Sequence, residues 1–411
     1  MKNYKNILTG VLLLVAFGAK AQSLDDYLIE AAEKNPGLKA SYFEFEAAMQ
    51  KTAQVKALPD LLLSFGYFVS PVETRVGPQR AKFSLLQMFP WFGTNGTKVN
   101  AYEFEAQTKY HEFLDRKNEL YFQVKDAYYP IYELKEQIRW QRDNLEILET
   151  YKRLSTTNFS NGKGAMVDVI RVDIMIDNAS TELQLLEDKL NPLAVRFNRL
   201  LNRSDSIPVH VLTEVQVDFI DGNFQKDSIL INNPTLKAID LSIQGAHARE
   251  ESANKQGLPT FGVGIDYAIV DKRTDLDVPD NGKNIFMPMV SMSLPLFRKK
   301  YNASIKEAQF TQSALSQKKL DVENRLVASY ETEMYNMERA VDLLKLYDVQ
   351  ILKTEQAIDL LYSAYSNSGR EFEEVLRMEQ QLLKYKISKA TAIKDYYVAE
   401  AKLDYITAKN N

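Results

Sequence analysis

Cysteine is absent from all 411 residues. In an exported chain this excludes a disulfide framework, and it also excludes the acylated N-terminal cysteine that tethers many envelope proteins. Glycine and proline are scarce, 16 and 13 residues, and the long stretches rich in Ala, Glu, Lys, Leu and Gln favour helix. Beyond the N-terminus no segment approaches the roughly 18 consecutive apolar residues of a spanning helix. A membrane crossing must therefore use closed β-structure, the only alternative to helices in lipid. The three histidines, His111, His210 and His247, stand far apart without metal-ligand spacing and read as surface or packing residues. Gly162-Lys163-Gly164 lacks the frame of a phosphate-binding loop. No cofactor is expected, and no nucleophile or metal constellation supports an enzyme.

The first 21 residues read as an export signal. Lys2 and Lys5 precede an apolar stretch from Ile7 to Ala16, and Ala19-Lys20-Ala21 supplies small residues for cleavage, so the mature chain is expected to start at Gln22. Loss of three lysines from 51 basic residues, against 55 acidic ones, leaves a formal charge of about −7. That balance argues against a nucleic-acid partner.

The remainder resembles itself at an offset of about 200 residues, the kind of repeat to be sought before other features. Asn35-Pro36-Gly37-Leu38-Lys39-Ala40 returns as Asn233-Pro234-Thr235-Leu236-Lys237-Ala238, and Leu58-Pro59 as Leu258-Pro259. Pro90 and Phe92 have counterparts in Pro295 and Phe297, and Glu105-Ala106-Gln107 matches Glu307-Ala308-Gln309. Phe159-Ser160-Asn161 and Val169-Ile170-Arg171 return as Tyr365-Ser366-Asn367 and Val375-Leu376-Arg377. The expected organisation is a signal peptide (1–21), a first repeat with linker (22–225) and a second repeat (226–411). Each repeat holds a helix, two strands and two long helices, with coil from Leu201 to Gln225 between them.

Leu61, Leu63, Phe65, Tyr67 and Val69 alternate with Ser64, Gly66 and Ser70. More cleanly, Phe261, Val263, Ile265 and Tyr267 alternate with Gly262, Gly264 and Asp266, the apolar-out, polar-in pattern of a lipid-facing barrel strand. One such segment alone suits the core of a soluble domain; two at matching positions favour the barrel. Phe83 to Phe89 and Phe286 to Leu294 are the expected hairpin partners. Ser70 to Arg80 and Asp271 to Asn284 are the expected polar loops, and Trp91 and Phe92 an expected interfacial belt. Met287, Met289 and Met292 at strand spacing read as apolar filling, with a soft-metal path as the rarer alternative.

The helices carry heptads. Tyr330, Met337, Leu344, Ile351, Ile358 and Tyr365 recur every seven residues, as do Val124, Ile131, Ile138 and Leu145. From Asn302 to Tyr365 such a helix spans roughly 95 Å at 1.5 Å per residue, too long for a compact domain. Pro130 should kink its helix or interrupt the hydrogen bonding. Four strands cannot close a membrane barrel, which needs about eight or more, so several chains must pool their strands. Periodicity leaves two chains or three open.

The duplicated order, Asn-Pro at the start of the second and sixth helices, the strand ends Phe89-Pro90-Trp91-Phe92-Gly93 and Leu294-Pro295-Leu296-Phe297, and the segments Phe159 to Asp173 and Tyr365 to Glu379 resemble the TolC-like outer-membrane efflux family. The resemblance covers essentially the whole mature chain. It implies a mainly α fold with a small β part: a long helical coiled-coil barrel, and four strands per chain in a shared twelve-stranded trimeric β-barrel. It also implies a homotrimer in outer-membrane lipid of a Gram-negative-type cell, with a helical tunnel in the periplasm. A periplasmic adaptor protein and an inner-membrane transporter would be its partners in efflux or secretion. A periplasmic coiled-coil adaptor or structural tether is the alternative, sharing heptads and signal but not lipid-facing hairpins.

The expected adaptor-contact tip comprises Phe159, Ser160, Asn161 and Gly162 at one helix reversal, and Ser366, Asn367, Ser368 and Gly369 at the other. Asp168 and Glu374 stand one or two turns into the returning helices. Facing the axis of a trimer they would form a cation-favouring ring; read singly they are helix-start acids interacting with the dipole. By resemblance Glu374 matches an acidic constriction residue, Tyr365 and Arg370 match positions that tie a closed entrance, and Arg377 stands where a second acidic residue is expected.

Overall fold

The computed structural model describes residues 23–212, 217, 224, 226–368 and 372–409; the expected signal segment lies outside them. Eight helices and four strands follow one another: α1 (Leu24–Lys34), α2 (Pro36–Lys56), β1 (Leu62–Thr74), β2 (Gly77–Phe89), α3 (Thr94–Ser160), α4 (Met166–Leu200), α5 (Lys226–Asn232), α6 (Pro234–Gln256), β3 (Thr260–Val270), β4 (Ile285–Ser293), α7 (Lys299–Ser368) and α8 (Phe372–Thr407).

Local chemistry sets several boundaries. Ser23 caps α1 through a reciprocal pair with Asp26, a capping box. Asn35 ends α1, its N–H donating to the Ala31 carbonyl, and starts α2, its Oδ1 accepting from Leu38 N at 3.0 Å. Asn233 caps α6 in the same manner, accepting from the N–H groups of Thr235 and Leu236, with Pro234 at the first helical position where its missing N–H costs nothing.

Contacts divide the chain into two compact units. The first comprises Met1–Lys39, Arg116–Ile231 and Leu326–Asn411 and is helical throughout its regular structure. Its apolar seams are the heptads: Val124, Ile131, Ile138, Tyr330, Met337, Leu344, Ile358 and Tyr365 are all buried, and Leu145 and Ile351 partly so. One cluster joins Tyr330, Met337 and Ala340 of α7 to Tyr396, Leu403 and Ile406 of α8, and another joins Tyr132 to Leu344, Ala392 and Ile393. Each fully buried side chain of this size contributes about 1.5–3 kcal/mol. Helix α3 runs through Pro130 without interruption. Tyr128, Tyr129, Ile131 and Tyr132 around it are all buried by packing, which offsets the one backbone bond a proline removes.

The second unit comprises Ala40–Asp115 and Asn232–Arg325 and holds the sheet. Its strands form an antiparallel meander in the order β1-β2-β3-β4. The expected loop from Ser70 to Arg80 is corrected: β1 continues to Thr74 and β2 resumes at Gly77, leaving a two-residue turn. A register shift between Tyr67 and Val72 absorbs Pro71 in this edge strand, where a missing N–H breaks no ladder. The segment from Asp271 to Asn284 does form a loop between β3 and β4.

Candidate functional site

The sheet has the polarity of a surface meant for lipid. Residues paired across its four strands form continuous rows, Phe65–Phe83–Tyr267–Phe286 and Leu63–Leu85–Ile265–Pro288 among them. Nearly all the side chains of these rows are apolar and all are exposed. The opposite face carries Ser64, Ser84, Asp266, Lys82 and Ser291, with Lys82 Nζ 2.6 Å from Asp266. Along β3 alternate residues are covered, and the covered ones are the small or polar Gly262, Gly264 and Asp266, with Ala268 and Val270. A Cβ on Gly264 would come within 2.7 Å of the Leu85 carbonyl, so the glycine permits close strand approach. Met287 and Met289 fall on the polar face and Met292 on the apolar one, so the three do not line a single path.

No helix among the described residues is long and apolar enough to cross a membrane. The exposed apolar area of the sheet is the part of the chain suited to lipid. At its helix-proximal end Trp91 stacks on Phe261, centroids 5.3 Å apart, and Phe92 is exposed.

At the other candidate region, in the first unit, α3 reverses into α4. Gly162 adopts φ +68°, Lys163 N donates to the Asn158 carbonyl and Gly162 N to the Phe159 carbonyl. This is the Schellman pattern, which satisfies the last carbonyls of α3 and requires a left-handed residue that glycine supplies. Phe159, Ser160, Asn161 and Gly162 are exposed. Ser366, Asn367 and Ser368 end α7; their side chains, with Gly369 and Arg370, lie outside the described residues.

Below this turn the helices share a core of Leu148, Tyr151, Val172, Ala179, Tyr365, Phe372, Val375 and Leu376. Tyr365 is buried in it and accepts a 3.0 Å hydrogen bond from Asn158 Nδ2. Burial, with Asp168 nearby, pushes the Tyr365 phenol upward. Tyr151 donates to Glu379 Oε1 at 2.8 Å. Burial raises the Glu379 carboxyl above the ordinary range, the Tyr151 bond only partly offsetting it, and burial raises the Tyr151 phenol as well.

Asp168 lies in the first turn of α4, 3.6 Å from Arg171, whose guanidinium also reaches Glu373 at 3.3 Å. Glu374 lies in the first turn of α8, paired with Arg377 one turn on. Both acids thus carry a local cation in the single chain. Sequence reasoning missed two features here. The Tyr151–Glu379 bond joins residues 228 apart, and nothing local announces it. An exposed apolar stripe of Met166, Val167, Ile170 and Ile174 also runs down α4, and its helical spacing could have revealed it. Among the described residues no group of three His, Cys, Asp or Glu side chains could hold a metal ion.

A four-stranded meander with one apolar exposed face, in a chain whose longest helices run 67 and 70 residues, is the TolC-like fold. Residues 227–409 match the family described as "OEP: Outer membrane efflux protein". That match lies within the second half of the chain, and likeness to solved structures extends the fold over most of its length. The outer membrane protein VceC of Vibrio cholerae matches with a TM-score of 0.75 at 15% identity, over 93% of this chain and 95% of that one. CusC matches with a TM-score of 0.78 at 12% identity, over 93% and 91%. The MtrE outer membrane channel of Neisseria gonorrhoeae, in its open state, matches with a TM-score of 0.74 at 14% identity, over 93% and 88%. A search of curated protein sequences finds no match.

Proposed function

We propose that three copies of this chain pool their strands into one twelve-stranded barrel, and that the trimer passes substrates outward for an inner-membrane transporter engaged through a periplasmic adaptor. The observation that carries this reading is the sheet: one face is apolar and exposed, yet β1 and β4 each leave an edge unpaired. Unpaired backbone groups cannot be left in hydrocarbon, so the β1 edge of one copy must meet the β4 edge of the next. Three copies supply twelve strands, enough for a barrel with a polar interior.

The helix reversal at Phe159, Ser160, Asn161 and Gly162, with its counterpart at Ser366, Asn367, Ser368 and Gly369, is the proposed adaptor-contact tip. The apolar stripe on α4 supports it, since an exposed row of Val167, Ile170 and Ile174 suits a partner helix. Asp168, Tyr365, Arg370, Glu374 and Arg377 are the proposed periplasmic gate, and the two repeats, 22–225 and 226–411, its proposed evolutionary frame.

Because the chain contains no native cysteine, engineered pairs report only designed contacts. Cysteines placed along β1 from Leu63 to Tyr67 and along β4 from Phe286 to Val290 should cross-link between copies in the outer membrane. The expected product is a ladder ending at three chains. A ladder ending at two, or none at any register, would refute the trimer.

A further inference from the structure

The helix-proximal end of the sheet carries cations that the conduit role does not use. Arg298, Lys299 and Lys300 follow β4 after Leu294-Pro295-Leu296-Phe297, all exposed and without an ion pair among the described residues. Lys300 lies 4.7 Å from the centroid of the Tyr301 ring, and Arg298 donates to the Gly257 carbonyl at 3.1 Å. Lys299 and Lys300 open α7, whose first turn holds no acid; cations there work against the helix dipole. Lys255 stands close by in sequence to the β3 start, its ammonium against Gly93 and 3.6 Å from Glu251.

Apolar space adjoins these charges. An apolar cleft of 600 Å³ opens between Leu58, Phe89, Trp91, Phe92 and Phe261, and a mostly polar one of 260 Å³ lies among Gln256, Thr260, Ser293, Lys300 and Tyr301. Phe92, Leu296 and Phe297 are 84%, 77% and 88% exposed. Phe261 pairs with Phe89 and Met292 in the outermost apolar row, so the larger cleft continues the face assigned to lipid. The opposite end of the sheet differs: Arg80 pairs with Asp271, Arg273 with Asp275 and Lys283 with Asp280. Three of its cations are thus matched internally, while Arg75 and Lys272 form no ion pair among the described residues.

The geometry points to a collar for anionic phospholipid at the helix-proximal rim, with an acyl chain in the larger cleft and the phosphate on Arg298, Lys299 and Lys300. This rests on the reading of the sheet as membrane-embedded. An apolar wall ending in Arg298, Lys299 and Lys300 is complementary to a negatively charged headgroup more than to a zwitterionic one, since each cation near an anionic surface adds about a factor of five in affinity. Trp91 suits the depth at which aromatic rings settle between hydrocarbon and headgroup.

The chain has two tryptophans, so Trp140→Phe leaves Trp91 as sole reporter. The protein, reconstituted with brominated phosphatidylglycerol or brominated phosphatidylcholine at low salt, should show Trp91 quenching at least about fivefold more effective per mole of the anionic lipid. Arg298→Gln, Lys299→Gln and Lys300→Gln together should abolish that preference while both lipids still quench. Circular dichroism, and quenching repeated with Trp140 intact, guard against a misfolded reporter. Equal quenching by the two lipids in the parent, or a preference that survives the triple variant, would overturn the collar alone. Absence of quenching by either lipid would overturn the membrane assignment of the sheet along with it.

Discussion

The ring of Tyr365 stacks on that of Phe372 with centroids 4.7 Å apart and planes 27° from parallel. Its hydroxyl accepts from Asn158 Nδ2 at 3.0 Å, so one side chain near the end of α7 ties the start of α8 to the end of α3. A residue proposed for the gate is therefore also a core residue of its own chain. Tyr365→Ala should destabilise this region by about 3–5 kcal/mol. Tyr365→Phe, which keeps the stack and strands only the Asn158 donor, should cost about 1 kcal/mol. Hydrogen exchange at the amides of Asn158 and Phe372 checks both; equal losses in the two variants would mean that the stack carries nothing.

Glu379 sets a pH dependence whose direction follows from its raised pKa. Burial disfavours the carboxylate, so the stabilising form is the protonated one. Its contribution is complete below the ordinary carboxylate value of 4.5 and is lost as pH rises through the raised value in the folded chain. Glu379→Gln keeps an acceptor for the Tyr151 hydroxyl without the charge. It should stabilise the folded chain at pH 7 by on the order of 1 kcal/mol, and by nothing measurable near pH 4. Urea unfolding at the two pH values decides; a variant less stable at pH 7 than the parent would reverse the sign assigned to burial.

Much of this architecture was legible because it is periodic. Heptads from Tyr330 to Tyr365 became buried seams, and the alternation from Phe261 to Tyr267 became an apolar-out strand, since spacing along an element translates directly into a face. The Asn-Pro pairs read correctly for a similar reason: a cap acts within four residues. What failed was the judgement of polarity at the strand ends. Glu73, Arg75 and Arg80 suggested a loop, but charged side chains are tolerated where a hairpin leaves the apolar zone, and β1 simply continues to Thr74. Pro130 marks no helix boundary, and the packing around Tyr128 and Ile131 that accompanies it is tertiary information. The acids proposed for the gate were chosen by position alone. Their partners, Arg171 with Asp168 and Arg377 with Glu374, lie one helical turn away and were open to inspection.

Those partners shape what neutralisation should do. Asp168→Asn with Glu374→Gln removes two acids per chain, leaving Arg171 with Glu373 alone and Arg377 without its counter-charge. In single-channel recordings the double variant should lose cation preference, by about twofold or more in permeability ratio at low salt, where screening is weak. Unchanged selectivity would remove both carboxylates from the conduction path.

The two faces of the sheet offer the sharpest contrast. Ile265 sits mid-strand on the apolar face, paired with Leu85 and Pro288, whereas Ser84 sits on the opposite face, paired with Asp266. An arginine facing lipid near the bilayer midplane costs about 2–4 kcal/mol, and three copies would multiply the penalty; an arginine facing a polar lumen costs little. At Ser84 it would also have the Asp266 carboxylate within the neighbouring strand as a counter-charge. Ile265→Arg should therefore deplete the assembled protein from the outer-membrane fraction, while Ser84→Arg should leave assembly near the parental level and alter conductance. The reverse ranking, with Ile265→Arg assembling and Ser84→Arg failing, would show that the sheet faces lipid with its other side.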